Sequence, residues 1–184
     1  MNLIFFGPPG SGKGTQAERL KERHTLKHIS TGDLLRAAIA DKIELGQQVE
    51  SLLQAGDLVP DDIVLALIKD AIGTTRSNGF KGWLLDGFPR TVGQARGLEN
   101  HMAELGEKID AIIVLDVDRE VILKRLGSRG RGDDGPGTVS KRLDVYAAQT
   151  RPTLSYYDGK VVINRIDGDQ TMDEVTVQIE RCLS

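Results

Sequence analysis

The run Gly7-Pro8-Pro9-Gly10-Ser11-Gly12-Lys13-Gly14-Thr15 has the composition of a phosphate cradle. Its glycines let successive backbone N–H groups turn inward on phosphate oxygens, and Lys13 adds a point charge suited to the β- and γ-phosphates of a triphosphate. The residues before it read as a strand and those after it as a helix, so a helix N-terminus adds partial positive charge where the anion would lie. The run departs from G-x-x-x-x-G-K-[ST] at Gly14, which displaces the hydroxyl to Thr15 and makes magnesium coordination from that position less direct.

Two more segments place cations where an anion could meet them. Ser30-Thr31-Gly32-Asp33-Leu34-Leu35-Arg36 and Asp86-Gly87-Phe88-Pro89-Arg90-Thr91 each carry an arginine just past the C-terminal end of a stretch that reads as a parallel strand. That edge is where open α/β sheets bind ligands. Arginine suits the task because its planar fork makes two directed bonds to phosphate oxygens.

Elements able to position these groups are visible along the chain. Strands are expected at Asn2 to Phe6, His28 to Ser30, Trp83 to Asp86, Ala111 to Asp116 and Val161 to Ile166, most of them continuous apolar runs of the kind that burial on both faces requires. Longer amphipathic segments alternate with them, the signature of βαβ units and a parallel sheet. Ile63, Leu67, Ile68, Ala71 and Ile72 keep helical spacing after Pro60-Asp61-Asp62, and Val49, Leu52 and Leu53 precede a stop at Gly56. Arg129 to Gly137 reads as a glycine-rich loop.

With the segments G-x-x-G-x-G-K-G-T, S-T-G-D-L-L-R and D-G-F-P-R-T in this order and at these separations, the chain resembles the adenylate kinases over essentially its whole length. The resemblance implies an α/β P-loop kinase with a five-stranded parallel sheet flanked by helices, plus a helical NMP-binding subdomain and a short lid loop. The implied division of this single domain is a core of residues 1–29, 60–127 and 138–184, an NMP-binding subdomain 30–59 and a lid 128–137. It further implies that Gly10, Ser11, Gly12, Lys13, Gly14, Thr15, Arg125, Arg129 and Gln170 hold ATP. Thr31, Arg36, Gly87, Arg90 and Gln94 would bind AMP, with backbone contacts from Asp57, Leu58 and Val59 and with Gln94 on the adenine edge. Arg131 and Arg142 would close on the transferring group and, with Lys13 and Arg90, form the catalytic set; Asp86, and secondarily Asp33, would hold the waters around Mg2+. The commonest bacterial form has a longer lid, often with cysteine zinc ligands, whereas this chain bridges the gap in a few glycine-rich residues, so no zinc site is expected. A blander role for the lid arginines is ion pairing with Asp133 and Asp134.

Composition narrows the field further. The 184 residues suit one compact domain, and a net charge of −3 argues against a nucleic-acid partner. No apolar run reaches the roughly 20 residues of a membrane span, and no signal peptide is evident, so a cytoplasmic protein is expected; the resemblance implies ATP, AMP and ADP as its small-molecule partners and a monomer as the family default. Cys182 is read as a packing residue, and His24, His28 and His101, which lack metal-ligand spacing, as packing or surface residues. One rival is a UMP/CMP kinase on the same scaffold, whose members usually carry Ala where Thr31 stands and Asn where Thr91 stands. A second is a nucleotide-dependent switch, for which Asn164-Arg165-Ile166-Asp167 resembles a guanine-reading motif but lacks its lysine.

Overall fold

The structure, a computed structural model, describes residues 1–40, 44–129 and 135–183. Five strands, β1 (Asn2–Phe6), β2 (Leu26–Ser30), β3 (Gly82–Asp86), β4 (Ala111–Asp116) and β5 (Val162–Asp167), form one sheet in the order β2-β3-β1-β4-β5, and every pairing is parallel. All five residues of β1 are buried, which is why the strand can occupy the centre of a sheet covered on both faces. β5 departs from the expected apolar run because it is an edge strand: Val162 is 63% exposed, and Arg165 on the same strand pairs with Asp116 at 2.7 Å. β2 begins at Leu26, two residues before the expected start at His28, because Leu26 is buried and pairs with Gly82 of β3.

Among the described residues eight α-helices accompany the sheet: α1 (Lys13–His24), α2 (Thr31–Ala40), α3 (Glu44–Ala55), α4 (Asp61–Gly73), α5 (Val92–Leu105), α6 (Arg119–Arg129), α7 (Pro136–Val145) and α8 (Met172–Leu183). A π-helical turn, Tyr146–Thr150, and 3-10 turns, Arg151–Tyr157, lead from α7 to β5. Period-two alternation sorts the strand residues between two cores. Leu3, Phe5, Leu84, Ile113 and Leu115 pack with α1 and α8 through Ala17, Leu20, Val175 and Ile179. Ile4, Phe6, Leu85, Ile112 and Val114 face α4 and α5 on the other side, through Ile68, Ile72, Ala95 and Leu98.

A third, smaller core of Ile122, Leu126, Val139 and Leu143 joins α6 to α7. The expected loop from Arg129 to Gly137 is shorter than the sequence suggests, since α6 reaches Arg129 and α7 starts at Pro136. Proline at the first helical position forfeits nothing, because the N–H it lacks would have no intrahelical partner there. Cys182 is exposed rather than packed, and Leu183 next to it meets the core instead.

Candidate active site

A cleft of about 740 Å³ opens at the C-terminal edge of the sheet, where the chain leaves β1, β2 and β3. β1 lies between β3 and β4, so the connections change direction at its end, the point at which such sheets bind ligands. The phosphate loop follows β1 and turns into α1. Gly10 and Gly12 adopt φ of 85° and 96°, values that a side chain disfavours, and Gly12 caps α1. Lys13 Nζ donates to the carbonyls of Gly7 and Pro8 at 2.8 and 2.9 Å, so its charge is held inside the loop.

Lys13, Arg36, Arg90, Arg125 and Arg142 all line this cleft. They arrive from separate elements: α1, α2, the turn after β3, α6 and α7. Arg36 pairs with Asp33 at 2.5 Å, Arg90 Nε donates to the Gly87 carbonyl at 2.7 Å, and Arg125 donates to the Gly168 carbonyl at 2.9 Å. Gly168 N–H in turn reaches the Asp116 carbonyl at 2.7 Å, which ties the loop before α8 to the end of β4. Gln16 fastens the two helices of that side together, donating to the Met172 carbonyl at 2.9 Å and accepting from the Thr176 hydroxyl at 2.7 Å.

Of the residues nominated from the sequence, the cleft gathers Gly10, Ser11, Gly12, Lys13, Gly14, Thr15, Asp33, Arg36, Leu58, Asp86, Gly87, Arg90, Arg125, Arg142 and Gln170. Thr31 and Val59 are buried, and the Thr31 hydroxyl donates to the Gly87 carbonyl at 2.9 Å. Gln94 is 1% exposed; its Nε2 donates to Asp61 Oδ1 at 2.9 Å, and its Oε1 accepts from Arg90 N–H at 2.7 Å. Asp57 pairs with Lys141, and Gln170 Nε2 donates to Asp167 Oδ2 at 3.1 Å. Arg129 ends α6, and Arg131 lies outside the described residues.

Asp86, at the tip of β3, is the most enclosed carboxylate of the cleft, its side chain 15% exposed against 54% for Glu18 and 64% for Asp33. Burial pushes its pKa up, but the His28 imidazole 3.6 Å away and the charges of Lys13 and Arg90 outweigh that and hold it below the usual range. His28 is the cleft residue that its lack of metal-ligand spacing concealed. Its Nδ1 lies 2.9 Å from Glu18 and its Nε2 3.6 Å from Asp86. Burial lowers its pKa, yet the two carboxylates prevail and raise it. Period-two geometry places His28 on the same strand face as Ser30, which is the signal that could have found it. Tyr146, also in the cleft wall, is pushed up to about 12 by burial and by the charge of Asp116.

The family model described as adenylate kinase matches residues 5–162. The chain belongs to the adenylate kinase family. An adenylate kinase of Synechococcus sp. strain WH7803 is 44% identical over 182 residues, covering 99% of this chain and 98% of its own. One from Parvibaculum lavamentivorans is 46% identical over 190 residues, covering 100% and 92%. One from Stenotrophomonas maltophilia strain K279a is 45% identical over 183 residues, covering 97% of each. For an adenylate kinase the arrangement has a direct chemical sense: phosphoryl transfer asks the protein to position two charged groups in line and neutralise them, and this cleft converges cations on one space from five elements.

Proposed function

We propose that this chain catalyses the reversible, Mg2+-dependent reaction ATP + AMP = 2 ADP and so balances the adenine nucleotides. The observation that carries the reading is that a single cleft holds Lys13 in its phosphate loop together with Arg36, Arg90 and Arg142. The loop from Gly10 to Thr15 holds the donor's phosphates, with Lys13 exchanging its carbonyl partners for phosphate oxygens. Arg125, Arg129 and Gln170 support the donor nucleotide. Arg36 and Arg90 fork the AMP phosphate, and Thr31, Gly87, Gln94 and the backbone of residues 57–59 follow its base. Arg131 and Arg142 neutralise the transferring group. The acceptor oxygen is already ionised, so no general base is required.

Asp86 fits a magnesium role: it is a hard oxygen ligand, held ionised, at a strand end facing the loop that carries Lys13. Asp33 is secondary, since its carboxylate already pairs with Arg36. When bound, magnesium would spread the charge of the β- and γ-phosphate oxygens. The reading includes a cytoplasmic monomer, which size-exclusion chromatography and cell fractionation test. No described helix is long and apolar enough to cross a membrane.

The deciding experiment offers AMP, GMP, CMP and UMP as acceptors with ATP and Mg2+ and follows ADP formation. AMP is expected to be the preferred acceptor. Preference for CMP or UMP would reassign the chain to the pyrimidine-nucleotide kinases, and no phosphorylation of any of the four would refute the kinase reading.

A further inference from the structure

Asp61 is the first residue of α4 and, like Gln94, does not line the cleft, yet it receives two hydrogen bonds, one from Thr91 at the N-cap of α5 and one from Gln94 in its first turn. Gln94 Nε2 donates to its Oδ1 and the Thr91 hydroxyl to its Oδ2, both at 2.9 Å. The same Thr91 oxygen caps α5 by accepting Gln94 N–H at 3.1 Å. Gly93 lies between these two residues, and a methyl group there would collide with Asp61 Oδ2, so the approach of the carboxylate depends on that glycine.

These contacts fix which way the Gln94 amide points. An ionised carboxylate can only accept, and a backbone N–H can only donate. Turning the amide over would set Oε1 against Asp61 Oδ1 and Nε2 against Arg90 N–H, replacing two good bonds by an acceptor–acceptor and a donor–donor clash. In a site that is 1% exposed, water cannot relieve such clashes. With these bonds made, the amide keeps one N–H and one oxygen lone pair for a ligand, in a fixed order.

We infer that Asp61 is a positioning residue for acceptor choice: by locking the Gln94 amide it makes the site accept an amino-type base edge and reject a keto-type one. The inference rests on the reading that Gln94 meets the acceptor base. Adenine offers an amino N–H at position 6 beside an unprotonated N1, which is the complement of an amide held in one order. Hypoxanthine has the same outline with both groups reversed, a carbonyl at 6 and N–H at 1. An amide free to turn over would serve both bases. A locked one leaves polar groups unpaired with hypoxanthine, and unpaired buried groups are how a site rejects an isostere.

The test compares kcat/KM for AMP and IMP, with ATP as donor, in the parent, Asp61→Asn, Asp61→Ala, Asp61→Ser and Gln94→Met, with thermal melts on each. The parent should prefer AMP. Asp61→Asn keeps an acceptor oxygen within reach of Gln94 Nε2, so it should retain the preference to within about threefold. Asp61→Ala should reduce the AMP-to-IMP ratio by at least about tenfold, beyond any change common to both nucleotides. Should the alanine variant not fold, Asp61→Ser, too short to hold the amide, carries the same expectation. A merely structural role would lower both nucleotides together and move the melting temperature without moving the ratio, and that outcome overturns the inference. If Gln94→Met also leaves the ratio unchanged, the reading of Gln94 as base reader fails with it. If Gln94→Met abolishes the ratio while Asp61→Ala and Asp61→Ser do not, only the lock is wrong.

Discussion

Lys141 Nζ lies 2.7 Å from Asp57 Oδ2, joining α7 to the loop that follows α3. Beside this pair the Thr138 hydroxyl reaches the Gln54 carbonyl at 3.4 Å, and a methyl group on Gly56 would come within 3.1 Å of the Arg142 stem. The helix that carries Arg142 is thereby braced against the segment proposed to hold the AMP base. Both partners of the ion pair are well exposed, at 45% and 40%, so the pair itself contributes only about 0.2–1 kcal/mol to stability. Asp57→Ala and Lys141→Ala should therefore leave the melting temperature nearly unchanged and raise the KM for AMP a few-fold, with less effect on the KM for ATP. The double variant should behave like either single one, and the difference from the parent should shrink at high salt. Additive effects on the KM for AMP would show that the two residues act separately.

Lys13→Met should nearly abolish turnover while the fold survives. Lys13 Nζ bonds loop carbonyls and takes no part in either sheet core, so its removal costs phosphate neutralisation rather than packing. Circular dichroism and ADP formation on the purified variant check this, and near-parental activity would contradict it.

Arg142→Ala and Arg131→Ala should each lower kcat far more than they raise the KM for ATP or AMP. A donor aimed at charge that develops in the transition state is worth roughly 3 kcal/mol at comparable sites, about a hundredfold in rate. Surface ion pairing would instead leave kinetics unchanged with at most a small stability loss. Steady-state kinetics with melts on both variants separates the two. An impaired Arg142→Ala beside a normal Arg131→Ala would transfer the second clamp to Arg129.

Glu107 should make the fold acid-sensitive. Burial raises its pKa, but hydrogen bonds from Arg76 at 2.6 Å and Asn2 at 3.0 Å overcome that and hold it below the usual glutamate range. A depressed folded-state pKa means stability that is present above the unfolded value and lost as pH falls through the folded one. Melting temperatures of the parent should therefore drop as pH falls below about 4.5, and Glu107→Gln should show a shallower drop from a lower plateau. Parallel curves for the two proteins would remove Glu107 from this role.

The sheet and the phosphate loop were legible because each answers a local demand. Strands buried on both faces leave uninterrupted runs such as Leu3-Ile4-Phe5-Phe6, and a backbone that wraps phosphate needs glycines and a lysine at short range. Most of the nominated cleft residues sit within those two signals or just beyond a strand end. Asp61 and His28 escaped for a different reason. Asp61 works on Thr91 and Gln94, which follow it by 30 and 33 residues, and only the packing of α4 on α5 brings them together. His28 gains its place from Glu18 on α1 and Asp86 on β3, neither of which a spacing rule connects to it. The exposure of β5 was not legible, because its position at the sheet edge is a property of topology alone.

That topology also governs the order of events during synthesis. Of the five strands of the sheet β1 leaves the ribosome first, but both of its ladder partners, Gly82–Asp86 and Ala111–Asp116, come much later in the chain. Until residue 116 has emerged the central strand cannot be flanked on both sides, and the loop it carries has no scaffold. Long-range parallel pairing of this kind is slow and leaves apolar strands exposed meanwhile. A nascent chain of this protein should thus gain nucleotide affinity only after Asp116 has emerged, and any assistance that ATP lends to its maturation would act from that point on.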